Sequence, residues 1–236
     1  MKQTYLFVHI PKTAGVKIRH NIHMNSGYPH AKICVQEEGF DLRFMTDAEL
    51  QDYDIISGHF GYALRRRLEP TRRCLTVLRE PFQRFISTYF YWKTLTGTTL
   101  AQLAQSLSIY EFAASQESLI TEYVDNAQTW QILHDFEMAS RLNFAKTSRA
   151  EIIAGAKRNL DALDFVGIQE DMPGTLAKMK DTFAWQWTDE PGEWINRTPE
   201  YDVTQIDLAL LRKQLGDRLA LDEELYAHGE ELFRRR

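Results

Sequence analysis

The chain has 236 residues, of which 44% are hydrophobic, so it can bury a sizeable core and is too apolar for a disordered protein. Its formal net charge of -5 argues against the basic balance of a general nucleic-acid-binding protein. We find neither a signal sequence nor an apolar run of membrane-spanning length, and two cysteines cannot build a disulfide framework. We therefore expect a single domain over residues 1–236, located in the cytoplasm and bound to neither nucleic acid nor membrane.

Short apolar runs alternate with helical patterns along the chain. Each short run predicts a buried strand, at residues 5–10, 54–57, 74–78 and 165–168. Helices are predicted at about 16–24, from 81 onward, across most of 99–163, at about 172–183 and as a pair between 203 and 233, with a loop over 186–200. This order predicts an α/β fold, three-layered and P-loop-like, with a central parallel sheet and a largely helical middle and C-terminal part.

The segment between the first strand and the first helix has the composition of a phosphate-binding loop. It reads His9-Ile10-Pro11-Lys12-Thr13-Ala14-Gly15. Small residues let backbone N–H groups approach an anion, the helix N-terminus adds partial positive charge, and Lys12 adds a full charge. A Walker loop would follow Gly-Lys with the hydroxyl that holds Mg²⁺, whereas Val16 and Lys17 follow Gly15 here. The segment favours a nucleotide site without a metal, and an ordinary tight strand–helix turn is the alternative.

A second motif ends the third predicted strand. Arg79-Glu80-Pro81 leads into a helix, because proline is suited to the first helical position, and Ser87 follows eight residues after the arginine. An arginine fork and a serine hydroxyl are suited to a phosphate, and Arg84 lies between them. For Arg79 the alternative is a salt bridge beside the helix. The run Arg65-Arg66-Arg67 is interpreted as a solvated surface run.

Together these segments resemble the sulfotransferase family that includes heparan sulfate 2-O-sulfotransferase and its bacterial relatives. Further segments that resemble the family are Asp125-Asn126-Ala127-Gln128-Thr129, Phe165-Val166-Gly167-Ile168-Gln169-Glu170 and Asn196-Arg197. The resemblance extends from about residue 4 to residue 230.

The resemblance implies a donor site for 3′-phosphoadenosine-5′-phosphosulfate (PAPS), with PAP as the product. Residues Pro11, Lys12, Thr13, Ala14, Gly15 and Val16 would hold the 5′-phosphosulfate. Arg79 and Ser87 would bind the 3′-phosphate, and Asn196 and Arg197 would close over the nucleotide. Gly58-His59 corresponds to the pair that carries the family's catalytic base.

Three positions depart from the family. Hydroxyl residues are usual at Val16 and Lys17, so Val16 removes one donor, and Lys17 either replaces it with a charge or points to solvent. Glu80 replaces an aspartate, which we expect to weaken the cap of the following helix because the longer side chain is a poorer N-cap.

The implied mechanism is an in-line displacement at sulfur. We assign Lys12 to the leaving phosphate oxygen and the sulfuryl group, and His59 to the proton of the attacking hydroxyl, since its ordinary pKa is near 6.5. Glu37 or Glu38 is the alternative base, and His9 is interpreted as structural. No cluster has metal-ligand spacing.

The acceptor is expected to be a hydroxyl of a carbohydrate or small metabolite, and no pattern specifies an oligomeric state. Aromatic residues either line an acceptor cleft or belong to the core, namely Tyr91, Trp92, Trp185, Trp187 and Trp194. Two other functions stay open at this point: a non-catalytic nucleotide-binding module of the same fold, and a small-molecule kinase. A kinase would need the Mg²⁺ hydroxyl and a strand-end aspartate, and the sequence supplies neither at the expected positions.

Overall fold

A central parallel sheet organises the protein. The computed structural model describes residues 3–27, 29–36, 42–135, 138–186 and 201–235, without the side chains of Arg43 and Met138. Within these residues five parallel strands form one sheet, in the order β2-β3-β1-β4-β5. The strands are β1 (Tyr5–Val8), β2 (Ile33–Val35), β3 (Ile55–Gly58), β4 (Arg73–Leu78) and β5 (Phe165–Ile168). Tyr5 of β1 lies opposite Ile55 of β3 and Arg73 of β4, so the carboxyl ends of these three strands are neighbours.

Helices make up most of the remaining described chain. They are α1 (Gly15–Asn25), α2 (Asp47–Gln51), α3 (Pro81–Thr94), α4 (Thr99–Ser106), α5 (Ile109–Ala114), α6 (Ser118–Val124), α7 (Ala127–Leu133), α8 (Met138–Arg141), α9 (Arg149–Asp161), α10 (Met172–Phe183), α11 (Leu208–Leu215) and α12 (Ala220–Arg235). Several begin with a capping box, as at Ser148, whose hydroxyl accepts from the Glu151 N–H while the Glu151 carboxylate accepts from the Ser148 N–H.

Two apolar clusters form the core. The larger surrounds the sheet, and all four residues of β1 are fully buried, as expected for the central strand of a parallel sheet. The smaller cluster joins α3 to α4, α5, α6 and α11. The predicted stripe on α3 faces it, with Phe82, Phe85, Ile86 and Tyr89 buried and Phe90 packed at its border.

The predicted α/β class is confirmed, with its central parallel sheet and its helical middle and C-terminal parts. The tenth helix begins and ends where the sequence places it, at Met172 and Phe183. The first strand ends at Val8 rather than at residue 10, because the chain turns toward the loop. Strand β2 has no counterpart in the prediction: it is a three-residue edge strand, too short to show a period of its own.

Candidate functional site

The strand order brings the two sequence motifs together at one edge of the sheet. The central strand β1 is followed by the loop that contains Lys12, β3 is followed by His59, and β4 is followed by Arg79. Side chains cross between these strand ends: Arg79 Nη1 donates to the Lys12 carbonyl at 3.1 Å, and the His9 and His59 rings lie 4.4 Å apart between centroids. This is the edge at which open parallel sheets bind their ligands.

The loop after β1 has an unusual backbone. Lys12 and Ala14 adopt left-handed conformations, with φ of 70° and 62°, which side chains other than glycine rarely adopt. The Thr13 hydroxyl closes the turn by donating to the Ile10 carbonyl at 2.8 Å. Ala14 stands at the N-cap of α1, where no described side chain caps the first-turn amides. The loop therefore presents backbone N–H groups and the Lys12 side chain at the start of a helix.

Gly15 is required by packing. A Cβ at this position would lie 1.8 Å from His9 Nε2, so the imidazole occupies the space that any side chain would need. The His9 ring also stacks on Phe7, at 5.4 Å between centroids. Burial holds the pKa of His9 well below 6.5, and electrostatic interactions with the His59 ring, Arg19 and Lys12 lower it further. His9 is thus a neutral packing residue, in agreement with its structural interpretation.

The ammonium of Lys12 lies against an aromatic face. Its Nζ is 3.7 Å from the centroid of the Tyr91 ring on α3. Burial, with the charge of Arg79 second, lowers the pKa of Lys12 from 10.5 to about 8. The ring attracts this cation without neutralising it, so the contact holds the Lys12 ammonium beside α3.

Arg79 is held through its backbone and its side chain. Its N–H donates to Gln128 Oε1 at 3.1 Å, and its carbonyl accepts from Gln128 Nε2 at 2.8 Å. Within the described residues Arg79 Nε is buried without a hydrogen-bond partner. Burial lowers the pKa of Arg79, while Tyr201 and Glu170 oppose that shift.

His59 has a defined tautomer. Its Nδ1 lies 2.8 Å from the His9 carbonyl oxygen, and a carbonyl oxygen only accepts, so Nδ1 must carry the proton. The lone pair is then on Nε2. Burial lowers the pKa of His59 below 6.5. The hydrogen bond to the His9 carbonyl raises this pKa, and the positive charge of Arg19 lowers it further. His59 is consequently neutral near pH 7 and is able to accept a proton at Nε2.

Three other residues singled out from the sequence are buried, namely Ser87, Arg84 and Lys17. Ser87 is buried in the second turn of α3, the helix that follows Arg79. Arg84 is fully buried, donates to the Tyr123 carbonyl at 2.7 Å and faces Asp222 at 3.9 Å, so it belongs to the core. Lys17 is also buried, and its predicted alternative of pointing to solvent is wrong.

Glu80 and the arginine run both make local contacts that the sequence did not specify. Glu80 caps α3 in spite of its length, since its carboxylate accepts from the Gln83 N–H at 2.7 Å. The interpretation of residues 65–67 as a surface run agrees with their exposure, since Arg66 is exposed and Arg65 and Arg67 are half-buried, but two of the three also make specific contacts. Arg65 donates to three carbonyls of the following loop, and Arg67 pairs with Asp47 at 2.7 Å, so both hold loops together.

Several predicted residues lie outside the described part of the chain. These are Asn196, Arg197, Glu37, Glu38, Trp187 and Trp194. Of the remaining aromatic candidates, Trp92 and Trp185 are buried in the two cores, and the Trp185 N–H donates to the Tyr5 hydroxyl at 2.8 Å. Tyr91, beside Lys12, is the aromatic candidate that meets the site.

Sequence reasoning missed the glutamines of α7. Gln128 lies in a segment that resembles the family, yet nothing in its spacing assigned it a role. Gln131 carries no motif at all, and it donates to the His9 and Phe60 carbonyls at 2.9 and 2.8 Å. Their signal was the polarity of two side chains on a short helix that also carries Ala127, Trp130, Ile132 and Leu133.

The described residues form neither a metal-binding cluster nor a membrane-spanning helix. Across the described ranges no group of three or more His, Cys, Asp or Glu side chains is arranged to hold a metal ion. No helix there is both long and apolar enough to cross a membrane.

Comparison with known proteins finds likeness at the level of structure. No model of a known protein family matches the chain, and no curated protein matches it by sequence. Among solved structures, the crystal structure of a sulfotransferase from Alicyclobacillus acidocaldarius matches with a TM-score of 0.50 and 16% sequence identity. The match covers 99% of this chain and 100% of that one. The chain thus has a fold similar to that of a bacterial sulfotransferase along its whole length.

Proposed function

We propose that this protein is a sulfotransferase that moves a sulfuryl group from PAPS to a hydroxyl of a carbohydrate or small metabolite. The observation that carries the proposal is the meeting of Lys12, Arg79 and a neutral His59 at one sheet edge. Two cations and a helix start suit the donor's phosphates, and a histidine with a free Nε2 suits the acceptor's hydroxyl. The likeness to a bacterial sulfotransferase supports the same reading.

Each residue has a proposed part in the transfer. The loop amides of residues 13–16 and Lys12 hold the 5′-phosphosulfate, while Arg79 and Ser87 hold the 3′-phosphate and so fix the register of the nucleotide. Asn196 and Arg197 are proposed to close over it.

In the reaction the acceptor oxygen forms a bond to sulfur as the bond from sulfur to the phosphate oxygen breaks. The hydroxyl proton passes to His59 Nε2, Lys12 stabilises the charge on the leaving oxygen, and PAP departs.

Two further expectations belong to the proposal. Cys34 and Cys74 are buried free thiols, as suits the reducing cytoplasm where we place the protein. The resemblance to sulfotransferases such as heparan sulfate 2-O-sulfotransferase motivates carbohydrates as the first acceptors to test, with Glu37 and Glu38 as the alternative bases.

A ligand screen tests the donor half. PAP should raise the melting temperature, since a ligand that binds only the folded state stabilises it, and ATP with Mg²⁺ should do so much less. Transfer of labelled sulfate from PAPS to pooled glycans and hydroxylated metabolites then tests the acceptor half. Equal shifts with both nucleotides would contradict the 3′-phosphate site, and PAP binding without any transfer would favour a non-catalytic nucleotide-binding module.

A further inference from the structure

Helix α7 lies behind the candidate site and sends two buried glutamines to the strand ends. Gln128 and Gln131 are three residues apart and therefore share one face of the helix. We propose that both are positioning residues, Gln128 for the phosphate-binding Arg79 and Gln131 for the base His59. The two roles rest on the proposed function, whereas the hydrogen bonds made by Gln128 and Gln131 are observed independently of that function.

Gln128 holds Arg79 by two hydrogen bonds in opposite directions. Its Oε1 accepts from the Arg79 N–H and its Nε2 donates to the Arg79 carbonyl, at 3.1 and 2.8 Å. A side-chain amide supplies an acceptor and a donor on one planar group, as this pairing with a peptide requires. This pairing fixes the backbone at the point where β4 ends, and so sets the direction in which the guanidinium leaves the sheet.

Gln131 ties the other two strand ends together. Its Nε2 donates to the His9 carbonyl after β1 and to the Phe60 carbonyl after β3, at 2.9 and 2.8 Å. The same His9 carbonyl accepts from His59 Nδ1, and Phe60 is the residue that follows His59. Gln131 therefore holds both the group that fixes the His59 tautomer and the backbone that carries the His59 side chain.

Helix α7 is itself anchored at its first turn. The fully buried carboxylate of Asp222 on α12 accepts from the Gln128 N–H, the Thr129 N–H and the Thr129 hydroxyl, at 3.2, 2.7 and 2.8 Å. In return Asn126 Oδ1 accepts from the Leu221 N–H at 2.8 Å. The two helix starts cap each other, which gives the glutamines a rigid base.

The two roles predict different effects for two matched substitutions, one on PAP affinity and the other on transfer rate. Methionine has nearly the length of glutamine and lacks the amide, so Gln128→Met and Gln131→Met remove the hydrogen bonds with little change in volume. Gln128→Met should weaken PAP binding about tenfold, measured by calorimetry. Gln131→Met should leave PAP affinity within about twofold and lower the transfer rate about 10- to 100-fold, because a misplaced base acts only on the acceptor.

Asn159 on α9 supplies the control. Its Nδ2 donates to the Ile132 and Leu133 carbonyls of α7, both at 2.9 Å, and does not reach the strand ends. Asn159→Leu thus removes the same kind of contact from the same helix. It should change PAP affinity and rate by no more than about twofold. If it slows transfer as much as Gln131→Met does, or if both glutamine variants lose binding and rate together, the positioning roles are wrong.

Two measurements decide the inference without activity. In ¹⁵N NMR spectra His59 should be protonated at Nδ1 in the native protein, and Gln131→Met should lose this single tautomer while Gln128→Met and Asn159→Leu keep it. Amide exchange at Arg79 should accelerate in Gln128→Met and stay slow in Gln131→Met. An unchanged tautomer or unchanged exchange would overturn the corresponding role.

These two measurements also separate the two claims. A native protein that neither binds PAP nor transfers sulfate would refute the proposed function. The tautomer of His59 and the amide exchange of Arg79 would still test whether the two glutamines position these residues. Should a methionine variant fail to fold, Gln131→Leu and Gln128→Leu remove the amide without adding a charge and are interpreted in the same way.

Discussion

The lowered pKa of Lys12 makes donor binding depend on pH in a predictable direction. Burial places this pKa at about 8, so the charged fraction falls from about three-quarters at pH 7.5 to about one-tenth at pH 9. Both phosphates of PAP are already dianionic at pH 7.5, since their second pKa is near 6. If the charged form alone binds PAP, the affinity should fall about eightfold over this interval.

Calorimetric titration of PAP at pH 7.5, 8.25 and 9 measures that change. Lys12→Arg is the control, because a guanidinium stays charged throughout, and its affinity should be flat with pH. Lys12→Met should bind weakly and equally at all three values. A native affinity that is the same at pH 7.5 and pH 9, or a fall of the same size in Lys12→Met, would refute the reasoning.

The same group should affect stability with the opposite sign. The unfolded chain binds the Lys12 proton up to a pKa of 10.5 and the folded chain only up to about 8, so unfolded molecules hold more protons between these values. Stability without ligand should therefore rise with pH across this interval relative to Lys12→Met. Urea unfolding of both proteins at pH 8 and pH 10 compares them, and a constant difference would contradict a lowered Lys12 pKa.

Three further substitutions test other parts of the structure. His59→Ala should keep PAP affinity and lose about 10²–10⁴-fold in transfer rate, and the native limb of kcat/KM should lie below pH 6.5 and vanish in the variant; activity within a few-fold would place the base elsewhere. Arg79→Ala should weaken PAP binding by about 1.5–3 kcal/mol in calorimetry, and unchanged binding would remove Arg79 from the phosphate site. Gly61→Ala should cost about 1–3 kcal/mol in urea unfolding, because its Cβ would lie 2.1 Å from the His134 carbonyl oxygen; an unchanged midpoint would show that the backbone yields there.

The sequence was sufficient for the fold class and for the edge of the sheet that bears the motifs. Buried parallel strands are continuous apolar runs, and a motif that directly follows such a run lies at a strand end; it was the resemblance to sulfotransferases that assigned Lys12, His59 and Arg79 to one site. Strand β2 was not predicted because three residues at the edge of a sheet are too few to show a hydrophobic periodicity.

What the sequence could not supply was pairing across long separations. Arg84 has the residue type and the neighbourhood of a phosphate ligand, and only the tertiary structure shows it buried against Tyr123 and Asp222. Gln131 is 122 residues from His9 in the chain, and no local pattern links an amide to a carbonyl at that distance.

The mutual capping of α7 and α12 also bears on how the protein is made. During synthesis the three strand ends emerge from the ribosome first, then α7, and the carboxylate of Asp222 emerges 93 residues after Thr129. Since domains acquire their long-range contacts only when both partners are available, a nascent chain short of residue 222 has its loop and arginine but lacks the anchor of the helix that orients them. Competence to hold a nucleotide should therefore arise late in translation, which arrested chains of graded length would reveal as an abrupt gain of PAP binding once α12 has cleared the exit tunnel.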